Sequence, residues 1–563
     1  MEIIQKILAA ALEKIHEFFI DPNFETEIKI TLPNGKINCH YCSNLLFSLR
    51  KNLRENFEEP LKKALLENEL ISEVEFVNGY LNLKMSGKFF AQLTNELAIG
   101  GILPDIGHGM KTNVEYCSIN PTGFLHIGHA RNAILGDSIA RILKKVNFDV
   151  TKEYYVNDAG NQVKILAESI FSRILEARGL ESTFPEGGYI GPEMMEIAQK
   201  IIAENFIDLD KLENSDFHAE FKKKIGDYAV KYFMDNIKQD LSDLNIVIDV
   251  YSSEKMITIE GYAEKAIDIM RAKGYVYEGV RDNKKAEKGK TSDEKLLLLK
   301  TTLFGDDEDR PLKKSDGNWT YLAPDIGYHM NKIERGFEYL ICVLGADHDS
   351  YARRIKIAVK ALDENIRHQI PLCQMVSFES EGKNVKFSKR LGNSIRTKDF
   401  IQEVDVDVLR FMMLAKTALT PFSFDYESAT TMSMKNPVFY IQYAHARACS
   451  ILRNSQIPPK LTEAEIFKTA NFQEVLVILS NFQNVVTEAA NQLTPHTIAN
   501  YAHKVAESFH RLWQVGKMDF TQRFIIDENE KETAARLFFI QAYLRILREC
   551  LEMLGVKAPE SMQ

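Results

Sequence analysis

Hydrophobic and polar positions change rhythm twice along the chain, and the changes mark three regions. Up to about residue 105, helical spacing alternates with short period-two runs. Met1-Glu2-Ile3-Ile4-Gln5-Lys6-Ile7-Leu8 reads as an amphipathic helix, and Ile28-Lys29-Ile30-Thr31-Leu32 as a strand that Pro33-Asn34-Gly35 ends. Val74-Glu75-Phe76-Val77 runs into Asn78-Gly79 and then Tyr80-Leu81-Asn82-Leu83. Asn-Gly between two such runs predicts a β-hairpin, because both central residues of the turn take positive φ. Gly100-Gly101-Ile102-Leu103-Pro104 reads as a linker.

From Val114 the order becomes strand, loop, helix. Later apolar runs such as Leu296-Leu297-Leu298-Leu299 and Tyr339-Leu340-Ile341-Cys342-Val343-Leu344 alternate with helical stretches. That alternation predicts an α/β region built on a parallel sheet. The polar stretch from Arg281 to Lys295 reads as a loop at the edge of an insertion. After about residue 430 the strand signals stop. Ala535, Phe539, Ala542, Ile546, Cys550 and Met553 recur at three- and four-residue steps and mark one face of a helix that Gly555 ends. The last region is therefore expected to be all-α.

A chain of 563 residues exceeds what one hydrophobic core can serve, which fits three or four domains. Its composition, 45% hydrophobic and 26% charged, is that of a water-soluble globular protein, and no apolar run is long enough to span a bilayer. The N-terminus carries no charged leader followed by a small-residue cleavage site, so no signal peptide is expected. Seven cysteines without framework spacing fit a reducing, cytoplasmic setting. Cys39-His40-Tyr41-Cys42 is a lone C-x-x-C without the second ligand pair that zinc requires, so no metal site is expected there. The net charge of -9 excludes a wholly basic nucleic-acid coat but not a local basic track. Clusters such as Lys62-Lys63, Lys144-Lys145 and Lys222-Lys223-Lys224 are available for one, although each alone reads as a solvated helix face.

Two stretches carry the candidate chemistry. Pro121-Thr122-Gly123-Phe124-Leu125-His126-Ile127-Gly128-His129-Ala130-Arg131 follows the strand Val114-Glu115-Tyr116-Cys117 and opens a helix. A helix N-terminus after a parallel strand is a ready phosphate site. His126 and His129 share one face, and Gly128 between them lets a flat base approach the backbone. The alternative is a capped helix with two surface histidines. Far downstream, Lys386-Phe387-Ser388-Lys389-Arg390 places three cations within five residues, between Gly382 and Gly392. Such a loop can close over a triphosphate. No Walker loop competes: Lys284 stands where the first glycine before Gly289-Lys290-Thr291 would be.

Together these stretches resemble the HIGH and KMSKS elements of class I aminoacyl-tRNA synthetases. HIGH is exact, whereas Phe387 and Arg390 depart from the second element without removing a lysine. The surrounding text narrows the resemblance to the arginyl-tRNA synthetases. It includes Tyr154-Tyr155-Val156-Asn157-Asp158-Ala159-Gly160-Asn161-Gln162, Trp319-Thr320-Tyr321-Leu322-Ala323-Pro324-Asp325, Gly345-Ala346-Asp347-His348 and Asn436-Pro437-Val438-Phe439-Tyr440.

The resemblance implies an N-terminal α+β tRNA-binding domain over 1–105 and a Rossmann-like catalytic domain over 106–430. The catalytic domain would carry an insertion at about 165–290 and its lysine loop at 386–390. A helical anticodon-binding domain would fill 431–563. It implies catalysis by His126, His129, Lys386 and Lys389, and ATP contacts that add Gly123, Gly128, His348 and Ser388. Arginine would be held by Glu115, Asn120, Tyr321 and Asp325, with Asp347 near the same pocket. A guanidinium pairs bidentately with carboxylate, which suits that set, although Asp325 also reads as a helix N-terminal carboxylate. ATP with Mg²⁺, L-arginine and tRNA(Arg) are the implied partners of a monomeric enzyme that uses no structural metal. Adenylate formation is expected to need tRNA. Two other readings stay open: a small nucleotidyltransferase with HIGH-like loops, and a non-catalytic synthetase relative.

Overall fold

A computed structural model describes residues 2–15, 29–33, 38–48, 51–280, 295–314, 316–374, 376–377, 395–526 and 528–562. The chain forms two compact units, one of residues 1–104, 432–492 and 496–563, the other of 105–431 and 493–495. The boundary at Pro104 falls at the end of the Gly100–Pro104 linker.

The first unit begins with α1 (Glu2–Ile15), β1 (Ile30–Thr31), β2 (Tyr41–Ser43), α2 (Lys51–Leu66), β3 (Ile71–Val77), β4 (Tyr80–Met85) and α3 (Gly87–Ile99). The strands form an antiparallel sheet in the order β1-β2-β4-β3. Val77 pairs with Tyr80 across the turn, where Asn78 and Gly79 take φ of 51° and 83°. These are the two positive values that the Asn-Gly signal requires. Ser86 caps α3 by accepting from the Phe89 amide.

The second unit is built on a five-stranded, wholly parallel sheet. In chain order its elements are β5 (Lys111–Glu115), α4 (Ile127–Lys145), β6 (Asp149–Val156), α5 (Gly160–Ala177), α6 (Pro192–Ala203), α7 (His218–Asp243) and β7 (Val250–Ser253). Then come α8 (Glu254–Ile259), α9 (Tyr262–Ala272), β8 (Val276–Val280), β9 (Lys295–Leu299), β10 (Arg310–Pro311), α10 (Leu322–Glu334), β11 (Tyr339–Cys342) and β12 (Leu344–Gly345). α11 (Asp349–Leu362), β13 (Arg367–Gln369), β14 (Leu372–Cys373) and β15 (Val376–Ser377) follow. The unit closes with α12 (Thr397–Phe400), α13 (Val406–Leu414), β16 (Phe422–Ser423) and α14 (Tyr426–Thr430).

The parallel sheet runs β13-β11-β5-β6-β7. The chain starts in the middle at β5, winds one way to β7, then crosses to β11 and winds the other way. A crevice therefore opens at the carboxyl ends of β5 and β11, where ligands of such sheets bind. One sequence expectation needs correction. Leu296–Leu299 is a strand, but it lies in a separate antiparallel sheet, β10-β9-β8, rather than in the parallel one. An unbroken apolar run marks burial on both faces but carries no direction. Val250–Ser253, within the stretch expected as an insertion at about 165–290, pairs with β6 in the central sheet.

The remaining helices belong to the first unit. They include α15 (Pro437–Arg453), α16 (Ala470–Ser480), α17 (Phe482–Gln492), α18 (Pro495–Met518) and α19 (Glu530–Leu554). Asn529 caps α19 through the Glu532 amide, and Gly555 ends it at φ 67°. Ala535, Phe539, Ala542, Ile546, Cys550 and Met553 are all buried, as their spacing predicts. Tyr41 of the N-terminal sheet donates to Ser480 Oγ at 2.9 Å, which ties sheet and bundle inside this unit. Among the described residues no helix is long and apolar enough to cross a membrane.

Candidate active site

The crevice holds a cavity of about 670 Å³. β5 ends at Glu115, and the chain then turns sharply. Cys117 takes φ 59°, an uncommon conformation for a side-chain-bearing residue, and its amide donates to Asn132 Oδ1 at 2.8 Å. Asn132 Nδ2 donates onward to the Val343 carbonyl just past β11. One side chain of α4 thus spans the ends of β5 and β11. Tyr154 Oη donates to the Ile119 carbonyl, and the Tyr155 amide to Ser118 Oγ, so β6 fixes the turn that presents Asn120 to the cavity.

His126 is the N-cap of α4. The His126 and His129 rings stack at a centroid distance of 3.4 Å, and both line the cavity. A Cβ on Gly128 would stand 3.1 Å from the His126 ring, so the glycine makes room for the stack. Burial pushes the His129 pKa down to about 3, and the neighbouring His126 adds to the shift. His126 is lowered as well, chiefly by burial. Both imidazoles are therefore neutral at pH 7. His129 Nδ1 is buried and has no partner among the described residues, the kind of group a ligand completes. Gly123 and His348 also line the cavity, and a Cβ on Gly123 would meet nothing within 4 Å.

The candidate lysine loop, with Lys386, Ser388 and Lys389, lies outside the described residues. The segment that follows it returns to the histidines. His126 and Arg396 form an antiparallel bridge, the Ile127 amide donates to the Ile395 carbonyl, and the Thr397 amide donates to the Leu125 carbonyl. On the preceding side Arg131 donates to the Gln374 carbonyl at 3.0 Å, and on the following side to the carbonyls of Thr417 and Thr420, also at 3.0 Å. The start of α4 thus anchors the chain both before and after that stretch.

Glu115 and Asp325 line the same cavity as the histidines. Lys332 Nζ lies 2.6 Å from Glu115 Oε2 with its side chain 1% exposed, and Ser118 Oγ donates to the other oxygen. Glu153 is fully buried below them and accepts from Asn113, Ser252, Tyr328 and both ways from Arg335. Asp325 is different. Among the described residues no basic side chain pairs with it, and burial, reinforced by Glu115 and Glu254, pushes its pKa up to about 8. Tyr321 is the one expected ligand of the described set that does not line the cavity; it is 86% exposed at the start of α10.

Tyr328 and His329 also line the cavity, and Lys332 and Glu153 hold its lining residues Glu115 and Tyr328, although the sequence reading passed over all four. A signal existed. Asp325, Tyr328, His329 and Lys332 fall at i, i+3, i+4 and i+7, a polar stripe on one helix face. On a helix that packs against α9 and α11, such a stripe marks polar groups that need partners or a ligand.

Comparisons with known proteins agree with this geometry. Residues 2–85 match the family described as arginyl tRNA synthetase N terminal domain, and residues 92–417 match the catalytic domain of class I tRNA synthetases (R). Residues 441–562 match the DALR anticodon binding domain. The arginine–tRNA ligase of Wolbachia pipientis is 36% identical, with all of both chains covered. That of Bacillus pumilus is 37% identical over all of this chain and 98% of its own. The chain belongs to the arginine–tRNA ligase family. Among solved structures, a putative arginyl-tRNA synthetase from Campylobacter jejuni superposes with a TM-score of 0.68 at 28% identity, covering 85% of this chain and all of that one. The Thermus thermophilus arginyl-tRNA synthetase shares the fold, with a TM-score of 0.71 at 22% identity over all of both chains.

As a class I arginine–tRNA ligase, the enzyme uses ATP as a substrate. A second cavity, about 760 Å³, lies in the other unit among Tyr443, Arg447, Arg453, Trp513 and Arg523. The Arg447 guanidinium carbon sits 4.3 Å from the Tyr443 ring centre and 4.6 Å from that of Trp513. Trp513 Nε1 is buried without a partner among the described residues. Aromatic faces interleaved with guanidinium planes are the surfaces on which unstacked bases settle.

Proposed function

We propose that this chain activates L-arginine in the cavity between β5 and β11 and transfers it to the terminal ribose of tRNA(Arg). The observation that supports this most is the juxtaposition of two opposite requirements in one cavity. Neutral histidines at a helix N-terminus suit phosphate, and in the same cavity a half-buried acid without a cation suits a guanidinium.

In this reading His126 and His129 contact the ATP phosphates as neutral donors, with Gly123, Gly128 and His348 shaping the nucleotide side. Glu115, Asn120, Asp325 and Tyr321 take the amino acid; Tyr321 would have to turn inward from its exposed position. The arginine carboxylate attacks the α-phosphorus of ATP, which arrives with Mg²⁺ on its phosphates. The bond to the bridging oxygen breaks and pyrophosphate leaves. Lys386 and Lys389, with Ser388 beside them, stabilise the charge that develops on it. The 2′-hydroxyl of the terminal ribose then attacks the mixed anhydride and releases AMP. The chain itself forms no covalent intermediate; positioning and electrostatics supply the catalysis.

Residues 1–105 would hold the outer corner of the tRNA, 106–430 the reaction, and 431–563 the anticodon arm, with a base seated on the Tyr443–Arg447–Trp513 surface. The enzyme would work as a cytoplasmic monomer. The test is exchange of labelled pyrophosphate into ATP with each amino acid in turn, in the presence of tRNA. Exchange that depends on arginine alone is expected, and exchange driven by another amino acid, or by none, overturns the reading.

A further inference from the structure

The acids around the arginine cavity outnumber the cations that reach them, and the matching is specific. Glu153 is matched by Arg335, which donates to both of its oxygens at 2.8 and 2.7 Å. Glu115 is matched by Lys332 at 2.6 Å. That leaves Asp325. The groups facing it are Glu115 from β5, Tyr155 from β6, Glu254 from α8, Cys342 from β11, and Tyr328, His329 and Lys332 from its own helix. Asp158, just past β6, faces Glu254 in turn. Tyr155, Tyr328 and Cys342 stay neutral, because burial raises each above its ordinary value. Burial holds His329 neutral with its pKa lowered to about 4. Lys332 is thus the one cation among these groups, and Glu115 already holds it.

Lys332 is not available to swing across. Its side chain is 1% exposed, and its ammonium lies 4.1 Å from the centre of the Tyr328 ring, whose hydroxyl is held by Glu153. The geometry points to Lys332 as a specificity-determining residue that acts as the cavity's internal counter-ion. By matching Glu115 it leaves Asp325 in the cavity wall without a cation, faced by the likewise unmatched Glu254, so that a cationic substrate side chain enters in exchange for a proton. This inference rests on the cavity being the arginine site.

The consequence is a proton balance. With the pKa of Asp325 raised to about 8, the empty site carries a neutral carboxylic acid at pH 7. A guanidinium favours the carboxylate, so arginine binding expels the proton to solvent. Arginine affinity then rises about tenfold per pH unit up to about pH 8 and levels off above it. The two flanking charges have opposite effects. Lys332→Met removes a cation that lowers the Asp325 pKa, so the midpoint of the pH profile moves up. Glu115→Gln removes an anion that raises it and frees Lys332, so the midpoint moves down. A merely structural role for the pair would weaken both variants without moving the midpoint in opposite directions.

The experiment has two arms on the full chain. Calorimetric titration of L-arginine at pH 7, in two buffers of different ionisation heat, should give close to one proton released per arginine bound. The arginine KM is then followed from pH 6 to 9.5 by tRNA-supported pyrophosphate exchange. The expected midpoint is near 8 for the wild type, higher for Lys332→Met, lower for Glu115→Gln and near wild type for Lys332→Arg. No proton release with clear arginine binding, a flat wild-type profile, or midpoints that move the same way overturns the proposal. Should Lys332→Met not fold, the wild-type proton count and the Glu115→Gln profile still decide it. Failure of arginine to bind, with another amino acid activated instead, would overturn the site assignment rather than the proton exchange.

Discussion

Replacing Arg410 by methionine should loosen the catalytic unit at the joint between α4, the helix that the HIGH histidines open, and α13. Arg410 on α13 and Asp137 on α4 are both fully buried, with Nη2 and Oδ2 2.7 Å apart. Arg410 Nη1 also donates to the Leu244 carbonyl at 2.9 Å. Burial alone would raise the Asp137 carboxyl; the charges of Arg410 and Arg141 hold it below the usual range. Removing one partner of such a pair costs about 3–5 kcal/mol, because the other charge stays buried. Arg141 remains on the same oxygen at 2.6 Å, and Lys152 stands 3.7 Å from the other. We therefore place the cost near the lower bound, about 3 kcal/mol. A chain of two units need not unfold in one step, so the readout is local: hydrogen exchange of the amides in α4 and α13. Their exchange should accelerate by about 10² in Arg410→Met, and Asp137→Leu/Arg410→Met should recover most of the loss. Exchange within threefold of wild type in the single variant would refute the reasoning.

Other outcomes follow from the same structure. The depressed pKa values of His129, about 3, and His329, about 4, lie below their ordinary 6.5, so their neutral forms contribute stability fully above 6.5. That contribution is lost as pH falls from 6.5 towards 3, and the melting temperature should drop in that window and drop less in His129→Asn. Lys389→Ala, on the resemblance to the KMSKS element, should lower the activation rate by about 10² with little change in the ATP KM; the reverse split would remove its transition-state role. Trp513→Ala should raise the tRNA KM by about 1–3 kcal/mol of lost base stacking and leave the arginine KM unchanged; equal changes in both would argue against a base seated there.

The parts of this molecule that the sequence made legible are those carried by short-range rules. Asn78-Gly79 dictates its turn through the φ values it alone tolerates cheaply, and the α19 face announces itself by spacing. The HIGH segment is contiguous, so its histidines could be placed on one helix start directly. What stayed hidden depends on long-range pairing. Leu296–Leu299 has the composition of a parallel core strand, yet its partners are Val276–Val280 and Arg310–Pro311, which composition does not specify. Glu153 and Lys332 looked like ordinary charged residues because their partners lie 182 and 217 positions away. Tyr321 was expected inside the arginine pocket, and its exposure shows that a motif fixes where a residue stands in the chain but not where its ring points.

The central claim is that the cavity selects arginine through Asp325 beside the HIGH histidines. The most direct measurement is arginine-dependent exchange of labelled pyrophosphate into ATP by Asp325→Asn, with tRNA present and both substrates varied. Loss of the charge partner for the guanidinium should cost about 2–5 kcal/mol, raising the arginine KM by roughly 30-fold or more. The ATP KM should stay within about twofold, because the proposed reading gives Asp325 to the amino acid and not to the nucleotide. An unchanged arginine KM, or equal rises for both substrates, would contradict the account.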